Sequence, residues 1–311
     1  MKAGNPIISG NWASLLLPIE PDDSIEFQKL GEEIDILIDA GVDGIYSNGT
    51  AGEFHNQTEE EFDRTQSILA ERCQRAAMHF VVGACQSDPA IMLNRVRRAA
   101  ALGPAAIQVI LPDWWPVTNG EAIDFLNRAS ENANGIPLIL YNPPHAKRVL
   151  SPAELGAILA MTWGVAGVKL ADGGKDWYGE AREHLHGISL FVPGHHLATG
   201  VKEGIAAGSF SNVACLSPSG AQRWTELMRT DIAAALKIEQ RICRFMDEHI
   251  LPFRQKAGYS NAALDKLLCA IGGWGPVGTR LRFPYHWIAE EEAIRIKPIA
   301  KRELGDLLDN P

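Results

Sequence analysis

The sequence predicts an α/β fold: a (β/α)8 barrel (TIM barrel) followed by a small C-terminal α-helical domain. Three observations carry this. Short, mostly continuous apolar runs recur eight times, as expected for parallel strands covered on both faces. A stretch long enough for a helix follows each run. After Leu216 the texture turns almost wholly helical. Eight βα units in series favour a closed barrel, because an open sheet would leave a continuous apolar run at an edge; the open sheet is the alternative. A chain of 311 residues with 46% hydrophobic content suits one large α/β domain with a small addition. The expected division is residues 1–228 for the barrel and 229–311 for the helical domain.

The elements follow in order. A first strand is expected over 10–18, longer and less clean than the rest. Residues 25–40 carry apolar side chains at 27, 30, 34, 37 and 38, a helical spacing, and Gly41 stops them. Strands are expected at 44–48, 80–85, 106–111, 137–141, 165–170, 189–192 and 212–216. Thr58 with Glu61 fits a capping box. Ser151, Pro152 and Glu154 supply a cap, a first-turn proline and an early acid. Beyond the barrel, 231–246 and 260–270 read as helices. A break follows at 272–276, and 287–308 reads as a final charged, amphipathic helix.

Composition bounds the partners. The formal net charge of −9 disfavours non-specific nucleic-acid binding. No apolar, uncharged run approaches the roughly 18 residues of a membrane span. Met1-Lys2-Ala3-Gly4-Asn5-Pro6 lacks the basic-then-apolar order of a secretory signal. The five cysteines, at 73, 85, 215, 243 and 269, are odd in number and widely spaced, with no CxxC. They read as reduced core residues of a cytoplasmic protein. No GxGxxG or P-loop pattern occurs, so no nucleotide cofactor is expected. Small molecules are the expected partners.

One residue stands out chemically. Lys169 lies inside the apolar run Val165-Ala166-Gly167-Val168-Lys169-Leu170. A lysine among β-branched residues pays heavy desolvation unless it is neutral or paired. Neutral lysine attacks ketones and aldehydes. Tyr141 ends the preceding strand and is placed to sit beside it. In a barrel, chemistry gathers where strands end and the following loops begin. That rule adds Thr50 and Ala51, Trp114 and Trp115, His145, Asp172, Gly194, His195, His196 and Ser211. Gly49 and Gly52 flank Thr50; they either let backbone amides approach an anion or form a tight turn. The two tryptophans are a substrate-facing wall or a cover for the barrel mouth. Adjacent histidines on a strand face opposite ways, so His195 and His196 point to substrate contacts rather than one metal. No HExxH is present, and no metal is expected. His184, His186 and His249 read as surface groups, and Glu53 as a helix-start acid.

Three segments carry a resemblance. They are Ala40-Gly41-Val42-Asp43-Gly44-Ile45 running into Gly49-Thr50-Ala51-Gly52-Glu53, then Tyr141-Asn142-Pro143-Pro144, then Gly167-Val168-Lys169. By their order and spacing the chain resembles the dihydrodipicolinate synthase and N-acetylneuraminate lyase family of class I aldolases, over roughly residues 8–300. The resemblance implies a (β/α)8 barrel with C-terminal helices, commonly a homotetramer. It implies an imine between a lysine, here Lys169, and pyruvate or another 2-oxo acid. Tyr141 matches the tyrosine that relays protons. Thr50 and Ala51 match the pair that holds the carboxylate, and Gly194 and Ser211 fall near further substrate positions. There are departures. The family's second threonine is Ala51 here. The synthase's tyrosine after strand four is Trp114. Its arginine after the Tyr-Asn segment is replaced by His145-Ala146, with Lys147 and Arg148 one or two positions away. These losses argue against the synthase itself. The expected function is a Schiff-base lyase or aldolase acting on a 2-oxo acid, by carbon–carbon or carbon–oxygen cleavage. The alternatives are dihydrodipicolinate synthase and a non-catalytic 2-oxo-acid-binding homologue.

Overall fold

The structure is a computed structural model that describes residues 8–171 and 174–308. Eight parallel strands close into a barrel in sequence order. They are β1 (Gly10–Ser14), β2 (Gly44–Ser47), β3 (Phe80–Gly83), β4 (Ala106–Ile110), β5 (Leu138–Asn142), β6 (Val165–Leu170), β7 (Ser189–Phe191) and β8 (Ala206–Ser211). The first strand is shorter than its apolar run. Beyond Ser14 only Leu15 stays on the ladder, its N–H donating to the Tyr46 carbonyl at 2.8 Å.

The eighth strand corrects the sequence reading. Residues Asn212–Leu216 form a short helix, and Ala206–Ser211 is the strand. Its residues are small because the backbone packs closely: a Cβ at Gly208 would meet the backbone of Gly10 on β1. That closeness closes the barrel and removes the apolar signal by which strands are read.

The strand pleat explains where the side chains go. Ile8, Trp12, Tyr46, Val81, Ala106, Ile139, Phe191 and Phe210 fill the barrel interior as one buried cluster. The alternate positions, such as Val168, Leu138 and Leu190, join the larger core beneath the helices. On β6, Gly167 opposes Ile139 of β5, and Lys169 opposes Tyr141. Lys169 and Tyr141 are therefore the next inward positions above the interior cluster, at the C-terminal mouth.

The helices follow their predicted caps. Helix Phe27–Asp39 is followed by Gly41 at φ 68°. Capping boxes start Glu59–Arg75 at Thr58 and Pro152–Ala160 at Ser151. After β8, helix Ile232–Phe245 runs through a π-helical turn, Met246–Ile250, into helix Leu251–Ala257. Helix Asn261–Gly272 follows, capped by Ser260. The last helix is Glu290–Leu304, shorter than its amphipathic pattern, and opens on three glutamates. No described helix is long and apolar enough to cross a membrane.

A buried ion pair joins these helices to the barrel. Lys266 and Glu53 are 0% and 1% exposed and meet at 2.8 Å. Lys266 also donates to the Arg280 carbonyl at 2.6 Å, and Glu53 accepts from the Arg282 N–H at 3.1 Å. Glu53 does stand at the start of the 3₁₀ turn Phe54–Asn56, as its position suggested, but its side chain makes no cap there and serves as a buried tie. Replacing Lys266 with Met strands the Glu53 charge and should cost about 3–5 kcal/mol. The surface pair Lys29–Glu20 should contribute less than about 1 kcal/mol. Urea unfolding of Lys266→Met and Lys29→Met measures both.

Candidate active site

The C-terminal mouth of the barrel opens into two adjoining cavities. One, of about 310 Å³, contains Lys169. The other, of about 400 Å³, extends over the loops after β3, β4 and β5. Thr50, Tyr141, Arg254 and Asn261 line both.

Lys169 stands on a floor of rings. Its Nζ lies 4.5 Å from the Tyr141 ring centroid, 4.9 Å from that of Tyr46 and 5.2 Å from that of Phe210. Among the described residues it makes no hydrogen bond and no ion pair at contact distance. Burial lowers its pKa to about 8, opposed by the charge of Asp265. Cation–π attraction offsets only part of the lost hydration. A substantial share of this amine is therefore neutral near physiological pH.

Tyr141 points its hydroxyl at Thr50, with 3.4 Å between the oxygens. Burial pushes the phenol up to about 12, opposed by that contact. The Thr50 loop is rigid. Asn48 and Glu53 bracket it in left-handed conformations, at φ 52° and 48°. The Asn48 side chain exchanges hydrogen bonds with Gln57 at 3.0 and 3.1 Å, and Gln57 donates to the Gly52 carbonyl at 2.9 Å. The loop glycines serve the protein's own packing. A Cβ at Gly49 would strike the Tyr46 ring, and one at Gly52 the Asn48 backbone. The tight-turn alternative accounts for them.

The other candidates separate. Ala51, Gly194 and His195 line the Lys169 cavity. His145 lines the adjoining one, its pKa lowered by burial and by Arg254. Gly194–His196 is a 3₁₀ turn rather than a strand, so the two imidazoles do not oppose each other. Their centroids are 4.4 Å apart. His196 lies in a third, outer cavity with Thr199 and Glu203, not with Lys169. The Ser211 hydroxyl accepts from the Ala214 N–H at 3.1 Å and caps the short helix there, while Asn212 lines the Lys169 cavity. Trp114 and Trp115 are 84% and 82% exposed and line neither Lys169 cavity nor its neighbour. Lys147 packs over the Trp114 ring at 4.6 Å and donates to its carbonyl at 2.7 Å. Arg148 is engaged by the Val117 carbonyl and by Glu154. His249 is half-buried rather than a surface group, whereas His184 and His186 are exposed. Asp172 lies outside the described residues. No group of three or more His, Cys, Asp or Glu among the described residues is placed to hold a metal.

Sequence reasoning missed the contribution of the C-terminal helices. Met246, Asp247, Ile250, Leu251 and Arg254 line the Lys169 cavity from one segment. Asn261, Leu264, Asp265 and Leu268 line it from another. The second set follows helical spacing. An acid within the otherwise apolar stripe Ala262-Ala263-Leu264-Asp265 was the available signal.

Comparison with known proteins bears on the family and the fold. A model of the dihydrodipicolinate synthetase family matches residues 8–303. The chain is 28% identical over 154 residues to the N-acetylneuraminate lyase of Rhizobium meliloti, covering 49% of this chain and 50% of that protein. It is 30% identical over 183 residues to the 4-hydroxy-tetrahydrodipicolinate synthase of Methanothermobacter thermautotrophicus, covering 59% and 64%. These matches thus span about half to two thirds of the relatives' own length. Among solved structures, YagE, a prophage protein of E. coli K12 crystallised with pyruvate, superposes with a TM-score of 0.83 at 20% identity, over 96% of this chain and 99% of that one. CdNal of Clostridium difficile, crystallised with mannosamine, gives 0.82 at 18% identity, over 96% and 100%.

The lowered pKa makes a direct prediction. Acetic anhydride labelling, read by peptide mass, should show Lys169 gaining reactivity as pH rises through about 8. Surface lysines should gain it near 10.4.

Proposed function

Since the chain belongs to the dihydrodipicolinate synthetase family, we propose that it is a lyase of the class I aldolase type acting on a 2-oxo acid. One observation carries this reading: an amine with no hydrogen-bond partner among the described residues, depressed in pKa, in a cavity that it shares with Tyr141 and Thr50.

The chemistry follows from the positions. The substrate carboxylate lies at the Thr50–Ala51 loop, which its own hydrogen bonds hold in place before any ligand arrives. Neutral Lys169 attacks the C2 ketone. Tyr141 carries protons through the carbinolamine, returning them through the Thr50 hydroxyl. The resulting cationic imine draws electrons from the C3–C4 bond or from a C3–H bond. The outcome is carbon–carbon cleavage in the first case, and loss of a C4 substituent in the second. The protein supplies its own electron-sink anchor in Lys169, and the reaction as written calls on no further group.

The polar chain from Tyr141 ends at Thr50, because Ala51 offers a methyl group where the resemblance implies a second hydroxyl. Within this chain no aromatic hydroxyl from the loop after β4 enters the cavity. Both features weigh against synthase activity. The same family membership supports a homo-oligomer, tetramer or dimer, working on small molecules.

Incubation with pyruvate and borohydride should leave a reduced adduct on Lys169, located by peptide mass. Lys169→Ala should abolish it, and an adduct surviving in that variant defeats the assignment. Tyr141→Phe should keep the carboxylate site yet slow adduct formation by about 10²–10⁴-fold.

A further inference from the structure

The wall of the Lys169 cavity opposite the barrel holds a carboxyl that the chemistry above does not use. Asp265 is carried by helix Asn261–Gly272 on the face it shares with Asn261, Leu264 and Leu268. Its neighbour Lys266 turns away to Glu53. Among the described residues the Asp265 carboxyl makes no hydrogen bond and no ion pair at contact distance. Its charge is nevertheless felt by Lys169, Tyr141 and Cys215. Glu53 is tied down by Lys266 and the Arg282 N–H, whereas Asp265 has no such tie among the described residues and borders the cavity instead. Burial lifts Asp265 to about 7, opposed by Lys169. The titratable and charged groups around it are Lys169 and Tyr141 from the barrel and Cys215 from the short helix after β8. Asp247 and Arg254 line the same cavity from the segment 246–257, and His195 lines it from the turn after β7.

The position matters because of what the substrate requires. Lys169 engages C2, and the Thr50 loop takes the carboxylate at C1. C3 and C4 then fall within the same cavity, one wall of which is formed by the C-terminal helices.

We propose that Asp265 is the catalytic base for the C4 hydroxyl of a 4-hydroxy-2-oxo acid held as its Lys169 imine. This rests on the function proposed above and adds the substrate class and the direction of cleavage. In the step, the carboxylate takes the hydroxyl proton and the O–H electron pair becomes the second bond of a C4 carbonyl. The C3–C4 bond breaks, and its pair moves toward the imine nitrogen to give an enamine. An aldehyde leaves. The Asp265 acid then returns its proton to C3, and water releases the 2-oxo acid and the free amine. The aldol direction is the same path reversed.

The test uses the full chain and 4-hydroxy-2-oxo acids bearing aliphatic, polyhydroxylated or aryl groups at C4. Asp265→Asn should still trap pyruvate with borohydride, with trapping shifted to lower pH because the charge that raises Lys169 is gone, while kcat for cleavage falls by about 10²–10⁴-fold. In kcat the lysine is already an imine, so its own titration drops out. The base must be ionised, so kcat should rise with pH through a limb near 7, and that limb should vanish in Asp265→Asn. Asp265→Glu should restore part of the rate and the limb. An Asn variant with unchanged kcat overturns the proposal, as does a slower one that keeps the same limb. An unaltered protein that traps pyruvate yet cleaves none of the acids also overturns it and leaves the imine reading standing. Failure to trap pyruvate at all removes that reading, and this proposal with it.

Discussion

An amine carried out of water is the constraint around which the mouth of this barrel is organised. The pleat of β6 turns Lys169 inward two residues beyond Gly167, onto a floor made by Tyr46, Tyr141 and Phe210. Rings offer the ammonium their faces and nothing to hydrogen-bond. The neutral amine gains what the cation loses. Interior packing and reactivity are thus one arrangement: the residues that close the barrel below Lys169 also set its protonation.

The helices after β8 belong to the same arrangement. They complete the cavity and contribute its second titrating group. The pair Lys266–Glu53 fixes their distance from the barrel, and Glu53 also closes the loop that carries Thr50. The Thr50 loop and the cavity roof therefore hang from one buried charge pair. Such a pair is a weak source of net stability and a strong source of position, since breaking it leaves an unpaired charge inside.

Much of this was legible in the chain, for reasons that vary by residue. Strands β2 to β7 were readable because both of their faces are covered and their runs are mostly apolar, with Gln108 and Lys169 among the few exceptions. Strand β8 was not, because Gly208 lies too close to β1 for a side chain and Ala206, Ala207 and Ser209 carry little apolar bulk. Lys169 was readable as a charge where none belongs. Tyr141 was readable as its lateral neighbour. Arg254 was hidden because polar residues on helices ordinarily face solvent; Asp265 was marked only as an acid in an apolar stripe, and no local period shows that such a face looks into a cavity. Trp114 and Trp115 were left between a wall and a cover for the barrel mouth, and the loop after β4 turns them outward, away from both cavities, where Lys147 packs on one of them.

The π-helical turn at Met246–Ile250 has a consequence of its own. It accommodates one more residue than an α-helical turn, and each residue turns a helix by about 100°. Everything downstream is rotated by that amount, Arg254 included. Lineages that gain or lose a single codon here would swing a different side chain over the opening while every barrel strand stayed in place. Selectivity can thus diverge by an indel outside the barrel, with the reactive centre inherited unchanged.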